Sequence, residues 1–219
     1  MSAGDDIRFD HGRRDRIGLP EAVFAEGKTE AHLSSLIGDA TQRSSSLLLT
    51  RLLPAAFDAL SGDVRGHLDY DPVSRTAFVG APEVTGPARV AVVTGGTVDL
   101  PAATEAARTL AFHGVASELI ADVGVAGLWR LMEHADEIAT FPVVIAVAGM
   151  EGALFTVLAG LVPGVMIALP TSNGYGVAEH GRLALDAALS SCAPGVVVCN
   201  IDNGYGAACA AVRVLQISR

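Results

Sequence analysis

The chain has 219 residues, a formal net charge of −9, 50% hydrophobic residues and a mean hydropathy of +0.42. This acidic balance disfavours a nucleic-acid backbone as main partner, but it leaves a small anionic ligand open, because glycine loops and helix N-termini bind phosphate regardless of net charge. No apolar run approaches the ~20 residues of a membrane-spanning helix, the polar start MSAGDDIRFDHGRRDR does not read as a secretory leader, and three cysteines without metal-type spacing predict reduced thiols in the cytoplasm rather than a disulfide or zinc framework.

Residues 1 to about 30 carry the densest charge and read as an ordered arm or surface segment. Gly12, Gly18 and Pro20 argue against one continuous helix there. Arg13, Arg14, Arg16 and Lys28 are candidates to meet an anionic ligand or a neighbouring subunit. Apolar spacing predicts a helix from Glu30 to about Asp39, a short strand within Ser44–Leu53, and a helix started by Pro54. Two extended pieces flank the Asp71-Pro72 turn signal. This makes a small α+β unit over residues 1–87, closed by the linker APEVTGP at 81–87.

From residue 88 onward the pattern changes. RVAVVTGGT reads as a strand, followed by Asp99 as a helix N-cap candidate and a helix ended by Gly114. SELIAD, VVIAVAG, VMIAL and VVVCNI are further strands, each followed by a helical segment. Continuous β-branched runs of this kind belong to strands buried on both faces. Five alternations with short connections predict a doubly wound, mostly parallel sheet, flavodoxin-like in strand count, over residues 88–219.

Ligands of such sheets lie beyond the carboxyl ends of the strands. The candidates there are Gly95, Gly96, Thr97 and Asp99; Asp122; Gly149 and Glu151; Thr171, Ser172, Gly174 and Tyr175; and Asn203. Glycines admit a phosphate close to the backbone. There is no G-x-G-x-x-G fingerprint and no Walker lysine loop, which disfavours ordinary dinucleotide or P-loop binding. Glu151 reads either as a carboxylate at a helix N-terminus or as a general base. Asp99 is well explained as a cap. Cys199, placed mid-strand, and Cys209, placed in the last helix, read as small buried residues. Cys192, in the connection SSCAPG, reads as the accessible thiol. A connection from helix to strand belongs at the amino end of the sheet, opposite the glycine loops, so Cys192 joins them only if its helix is short or a second subunit supplies it. His113 and His134 read as solvated residues in last helical turns, and Trp129 as a core or interface side chain.

The combination of DHGRRDRIGLPEAVFAEGKT, VVTGGTVDLPAATEAA, DVGVAGL, VAGMEGAL, PTSNGYG, SSCAPGV and NIDNGYGAA resembles the LarB family over nearly the whole chain. Its second half is similar to PurE, the aminoimidazole ribonucleotide carboxylase/mutase. The chain departs from the LarB pattern at Val98, where serine is usual, at Phe155, where proline is usual, and at Asn173, where valine is usual. The resemblance implies a PurE-like fold and a pyridinium-3,5-biscarboxylic acid mononucleotide synthase of nickel-pincer cofactor biosynthesis. Its substrates are nicotinic acid adenine dinucleotide and CO2, Mg2+ assists anhydride hydrolysis through ligands the sequence does not reveal, and the assembly is a homo-oligomer, an octamer of the PurE type. Cys192 matches the family's nucleophile and Glu151 its carboxylate. Two rivals stand beside it. A purine-pathway enzyme carries a Ser-Ala-His-Arg loop after the second strand, where this chain has DVGVAGL without histidine. A non-catalytic nucleotide-binding module predicts binding without turnover.

Overall fold

The computed structural model describes residues 7–217; residues 1–6, which begin the charged arm and on which the absence of a leader was partly read, lie outside the described residues, as do 218 and 219. The chain divides into two compact units, Met1–Glu83 with Phe112–Gly114, and Val84–Ala111 with Val115–Arg219.

In the first unit a short helix α1 (Arg13–Ile17) stops at Gly18, whose φ of 76° no side chain favours. Then follow β1 (Ala22–Phe24), α2 (Glu30–Gln42), β2 (Leu47–Thr50), α3 (Pro54–Ala59), α4 (Gly62–Arg65), β3 (Asp69–Asp71) and β4 (Thr76–Val79). The Thr29 hydroxyl accepts the His32 N–H and starts α2. Leu33, Leu36, Ile37 and Ala40, at helical spacing, bury one face of α2 against β2 and β4. The sheet order is β1-β2-β4-β3, with β1 parallel to β2 and the other pairs antiparallel. Strand β1 was not anticipated: three edge residues between a proline and a glycine turn show no alternation to read.

The second unit runs β5 (Val90–Thr94), α5 (Leu100–Phe112), β6 (Ser117–Ile120), α6 (Leu128–Ile138), β7 (Val143–Ala148), α7 (Ala153–Ala159), β8 (Val165–Pro170), α8 (Arg182–Leu189), β9 (Val196–Val198) and α9 (Gly204–Ile217). Its sheet is parallel throughout, in the order β6-β5-β7-β8-β9. This is the doubly wound arrangement expected from the alternation, with the order reversing between β5 and β7. Every residue of β5 and β7 is buried, because helices cover both faces. Phe155 and Leu154 of α7 and Leu131 of α6 fill one side of this core.

Three expectations need correction. Asp99 is not the N-cap of α5: one 3-10 turn, Thr97–Asp99, precedes the helix, and the carboxylate turns back to accept the Gly96 N–H. Cys199 lies one residue past β9, although its N–H still donates to the Ala168 carbonyl. His113 is not solvated: burial penalises its charged form and lowers its pKa to about 4. Trp129, read as a core or interface side chain, is 65% exposed within this chain, which leaves the interface alternative.

Candidate active site

The loops at the carboxyl ends of the parallel strands are stitched to one another rather than left as separate turns. The Thr94 hydroxyl accepts the Asp122 N–H at 3.0 Å, which links the ends of β5 and β6. The Gly95 N–H donates to the Val147 carbonyl, and the Thr171 N–H to the Ala148 carbonyl. The Asp202 carboxylate accepts the Ser172 N–H at 2.8 Å, and the Asp202 N–H donates to the Pro170 carbonyl. A chain of hydrogen bonds, three between backbone groups and two to side chains, therefore runs across the crevice edge and gives the loops a common frame.

Between the loops after β5, β6, β7 and β8 lies a cavity of about 560 Å³. It sits at the point where the strand order reverses, the usual ligand position of an open doubly wound sheet. Its volume is within the roughly 300–1,000 Å³ of small-molecule sites. The walls are largely apolar or glycine: Val98, Val125, Ala126, Ala148, Met150 and Leu154, with Gly95, Gly96, Gly124, Gly149, Gly152 and Gly174. Asp99, Glu151, Asn173 and Tyr175 are its polar residues, of which Asp99 and the Asn173 NH2 group make their hydrogen bonds to the protein itself. Such a lining suits a flat ring with a few polar anchor points.

Asp99 is 4% exposed and does not carry its charge alone. The Thr171 hydroxyl donates to its Oδ1 at 2.6 Å, the Asn173 amide donates to the same oxygen at 3.0 Å, and Gly96 N–H donates to Oδ2 at 3.0 Å. A buried carboxylate requires this satisfaction. Its three donors come from two loops, so Asp99 acts as a pin between the ends of β5 and β8.

Glu151 is exposed and lines the cavity, between Met150 at φ +52° and Gly152 at φ +63°. It precedes Gly152, the N-cap residue of α7, and so lies just outside the first turn rather than within it. Gly149 cannot be replaced freely: a Cβ there would collide with the Asn173 carbonyl oxygen. The buried Phe155 ring lies against Gly152.

Of the residues expected at the site, Gly95, Gly96, Asp99, Gly149, Glu151, Gly174 and Tyr175 come together around the cavity. Thr171 is buried and reaches it through Asp99. Thr97, Asp122, Ser172 and Asn203 stay outside it. Asp122 pairs with Arg130 at 2.6 Å, and Asn203 caps α9 by accepting the Gly206 N–H at 2.8 Å. Cys192 is exposed in the connection from α8 to β9, at the amino end of the sheet. Its neighbour Ser191 bonds the Thr156 hydroxyl of α7 at 2.8 Å. One chain thus does not bring Cys192 into the cavity. Sequence reasoning overlooked the apolar wall residues Val125, Ala126 and Leu154, which look like any other core residue until the loops are in place.

Comparison with known proteins places these observations in a family. Residues 3–81 match the LarB/PurE-like N-terminal domain, and residues 89–219 match AIR carboxylase. An uncharacterized protein of Methanocaldococcus jannaschii is 34% identical over 221 residues, covering 96% of this chain and 84% of that protein.

Proposed function

Because the chain belongs to the LarB family, a LarB-type N-terminal domain followed by a PurE-like carboxylase domain, we propose that it is a pyridinium-ring carboxylase that also hydrolyses a phosphoanhydride. In this reading it converts nicotinic acid adenine dinucleotide, CO2 and water to pyridinium-3,5-biscarboxylic acid mononucleotide and AMP, a step of nickel-pincer nucleotide cofactor biosynthesis. Its three free thiols fit a reducing compartment such as the cytoplasm. The observation that carries the reading beyond family membership is the apolar-walled cavity at the reversal of strand order with Glu151 lining it.

The chemistry explains why a thiol and a carboxylate serve together. A pyridinium carbon is electrophilic and does not attack CO2. Addition of the Cys192 thiolate to the ring gives a neutral dienamine, whose carbon is nucleophilic. That carbon forms a C–C bond to CO2. Glu151 then takes the ring proton, the ring regains aromaticity, and the C–S bond breaks to release the thiolate. Water cleaves the phosphoanhydride in a separate step and AMP leaves. Gly95, Gly96, Gly149, Gly174 and Tyr175 belong to the ligand's surroundings in this scheme, Thr97 and Ser172 stand beside them outside the cavity, and Asp99, Thr171, Asp122 and Asn203 hold the loops.

Cys192 reaches the ring from a second copy of the chain. Exposed apolar side chains flank its loop, Leu189 at 65% and Val197 at 48% exposure, and Val98, Leu128, Trp129, Met132 and Val177 are exposed elsewhere on the same unit. Surfaces of this kind mark association sites. A PurE-type homo-octamer is the assembly we propose. No described helix is long and apolar enough to cross a membrane.

Among the described residues no group of three or more His, Cys, Asp or Glu side chains is placed to hold a metal ion. Asp99 and Asp122 already accept protein donors. The side chains present do not fit a resident metal cage, so Mg2+ in this reading enters with the diphosphate of the substrate.

The protein incubated with nicotinic acid adenine dinucleotide, bicarbonate and magnesium should release AMP and a dicarboxylated mononucleotide. Absence of both products sinks the proposal. Turnover of aminoimidazole ribonucleotide instead would favour a purine-pathway enzyme. Nucleotide binding without turnover would favour a binding module.

A further inference from the structure

Asn173 occupies a position in the crevice that neither a turn nor a cap requires. Its backbone carbonyl accepts the Met150 N–H at 2.8 Å, one residue before Glu151. Its side-chain nitrogen lies 2.8 Å from the Val98 carbonyl oxygen, 3.0 Å from Asp99 Oδ1 and 3.3 Å from Thr171 Oγ1. The orientation of the amide follows from its partners: a carbonyl and a carboxylate only accept, so the NH2 group must face them. One amide hydrogen serves Val98, and the other is shared between Asp99 and Thr171. A single residue of the loop after β8 therefore grips the loop after β5 with its side chain and the loop after β7 with its backbone.

The grip has a consequence for Glu151. Met150 holds a left-handed φ of +52°, a conformation that persists only where the surroundings over-determine it. The hydrogen bond to Asn173 supplies part of that determination. The bare Cα of Gly149 lets the Asn173 carbonyl come close enough to make it. Glu151 follows directly, so its aim into the cavity depends on where Asn173 stands, and Asn173 stands where Val98 and Asp99 hold it.

We propose that Asn173 is a positioning residue for Glu151, fixing the carboxylate relative to the Gly95–Asp99 loop through the bridge from Val98 and Asp99 to the Met150 N–H. The proposal rests on the reading of Glu151 as the base of a carboxylation. Loss of the bridge leaves the ligand's surroundings in place and misaims the base. The effect falls on kcat rather than KM, because small misplacements of reacting groups cost up to about 10²-fold in rate.

Two variants test it. Asn173→Val removes the side-chain donors and keeps the backbone carbonyl that the Met150 N–H uses. It should lower kcat by about 10- to 100-fold with KM within about threefold of wild type. Asn173→Asp sets a second carboxylate against Asp99. It should be slower than Asn173→Val at neutral pH and recover relative to it as the pH falls towards ~5, because a protonated carboxyl regains one donor. Hydrogen exchange gives a readout that needs no substrate: the amides of Gly149–Gly152 should exchange faster in Asn173→Val than in wild type, while the buried amides of β7 stay unchanged. Wild-type kcat together with wild-type exchange in Asn173→Val overturns the proposal. So does faster exchange spread through β7, which would mean general unfolding. A wild-type protein that performs no carboxylation defeats the proposed function, and the exchange result then still decides whether Asn173 holds the Met150–Glu151 turn.

Discussion

The loop that carries Glu151 and the loop that carries Cys192 lie at opposite ends of the same parallel sheet, and they are built differently. Around Glu151 the backbone is crowded. Met150 is tied to Asn173, the Gly152 N–H donates to the Gly149 carbonyl, and a side chain at Gly149 or Gly152 would meet atoms of Asn173 or Phe155. Around Cys192 there is space. Cys192, Pro194 and Gly195 are exposed, nothing lies within 4 Å of a Cβ built on Gly195, and the Ser191 hydroxyl makes the bonds that tie the turn, to Thr156 and the Ala193 N–H. The first loop is finished within one chain. The second is open on the surface of the single chain, as the proposed assembly requires. The difference teaches that the carboxylate and the thiol of the proposed reaction need not share a chain, only an assembly.

The largest expected effects test that inference directly. Glu151→Gln should lower carboxylation by about 10²–10⁴-fold, and Cys192→Ala should abolish it. Neither variant should lose its fold, since both side chains are exposed. If each site takes its carboxylate from one copy and its thiol from another, equal mixing of the two inactive variants during refolding restores up to about a quarter of wild-type activity, the fraction of random pairings with both groups intact. No recovery after verified subunit exchange would show that one chain closes its own site, and the SSCAPG loop would then have to fold towards the crevice.

Gly149→Ala probes the crowded side of the comparison. The added methyl must displace the Asn173 carbonyl and with it the Met150 hydrogen bond. Overpacking of this kind costs about 1–3 kcal/mol, measurable as a lower denaturation midpoint, and activity should fall with it. Wild-type stability in this variant would mean that the crevice loops are softer than their hydrogen bonds indicate.

Thiol labelling compares the ends by reactivity. Burial raises the pKa of Cys199, so less of it is thiolate at neutral pH. Cys192 should alkylate about tenfold faster or more, because it is exposed while burial holds Cys199 back. Addition of the dinucleotide should slow Cys192 and leave Cys199 unchanged. Protection of both thiols alike would point to a change of assembly rather than to occupancy near Cys192.

Much of this was readable from residues alone. The unbroken apolar runs of β7 and β8 announced strands buried on both faces, and Gly114, at φ +72°, ended α5 where it was expected to. The position of SSCAPG at the far end of the sheet followed from chain direction alone. Other features depend on distant partners. Asp99 looked like a helix cap because a helical segment follows it, yet its carboxylate is fixed by Thr171 and Asn173, more than 70 residues away. Asn173 donates to the Val98 carbonyl from 75 residues away, a partnership that only the folded chain shows. Cys199 fell outside β9 because an edge strand ends where its neighbour stops pairing with it, which no local pattern records. Burial of His113 is likewise a property of what surrounds it in space.

Gly195→Ala is the smallest change and the counterpart of Gly149→Ala. Gly195 sits at φ +82° in open space, so a methyl there meets backbone strain and no neighbour within the chain. The strain alone amounts to about 1 kcal/mol. Denaturation of the isolated chain should show about that loss and no more. The informative measurement is oligomeric state, by sedimentation at fixed concentration. If a second copy covers this loop, the methyl meets that copy, and the assembly weakens by more than the chain's own stability does. If assembly and activity track the ~1 kcal/mol strain alone, the loop is free in the assembly, and Cys192 must reach a ring by moving rather than by being docked.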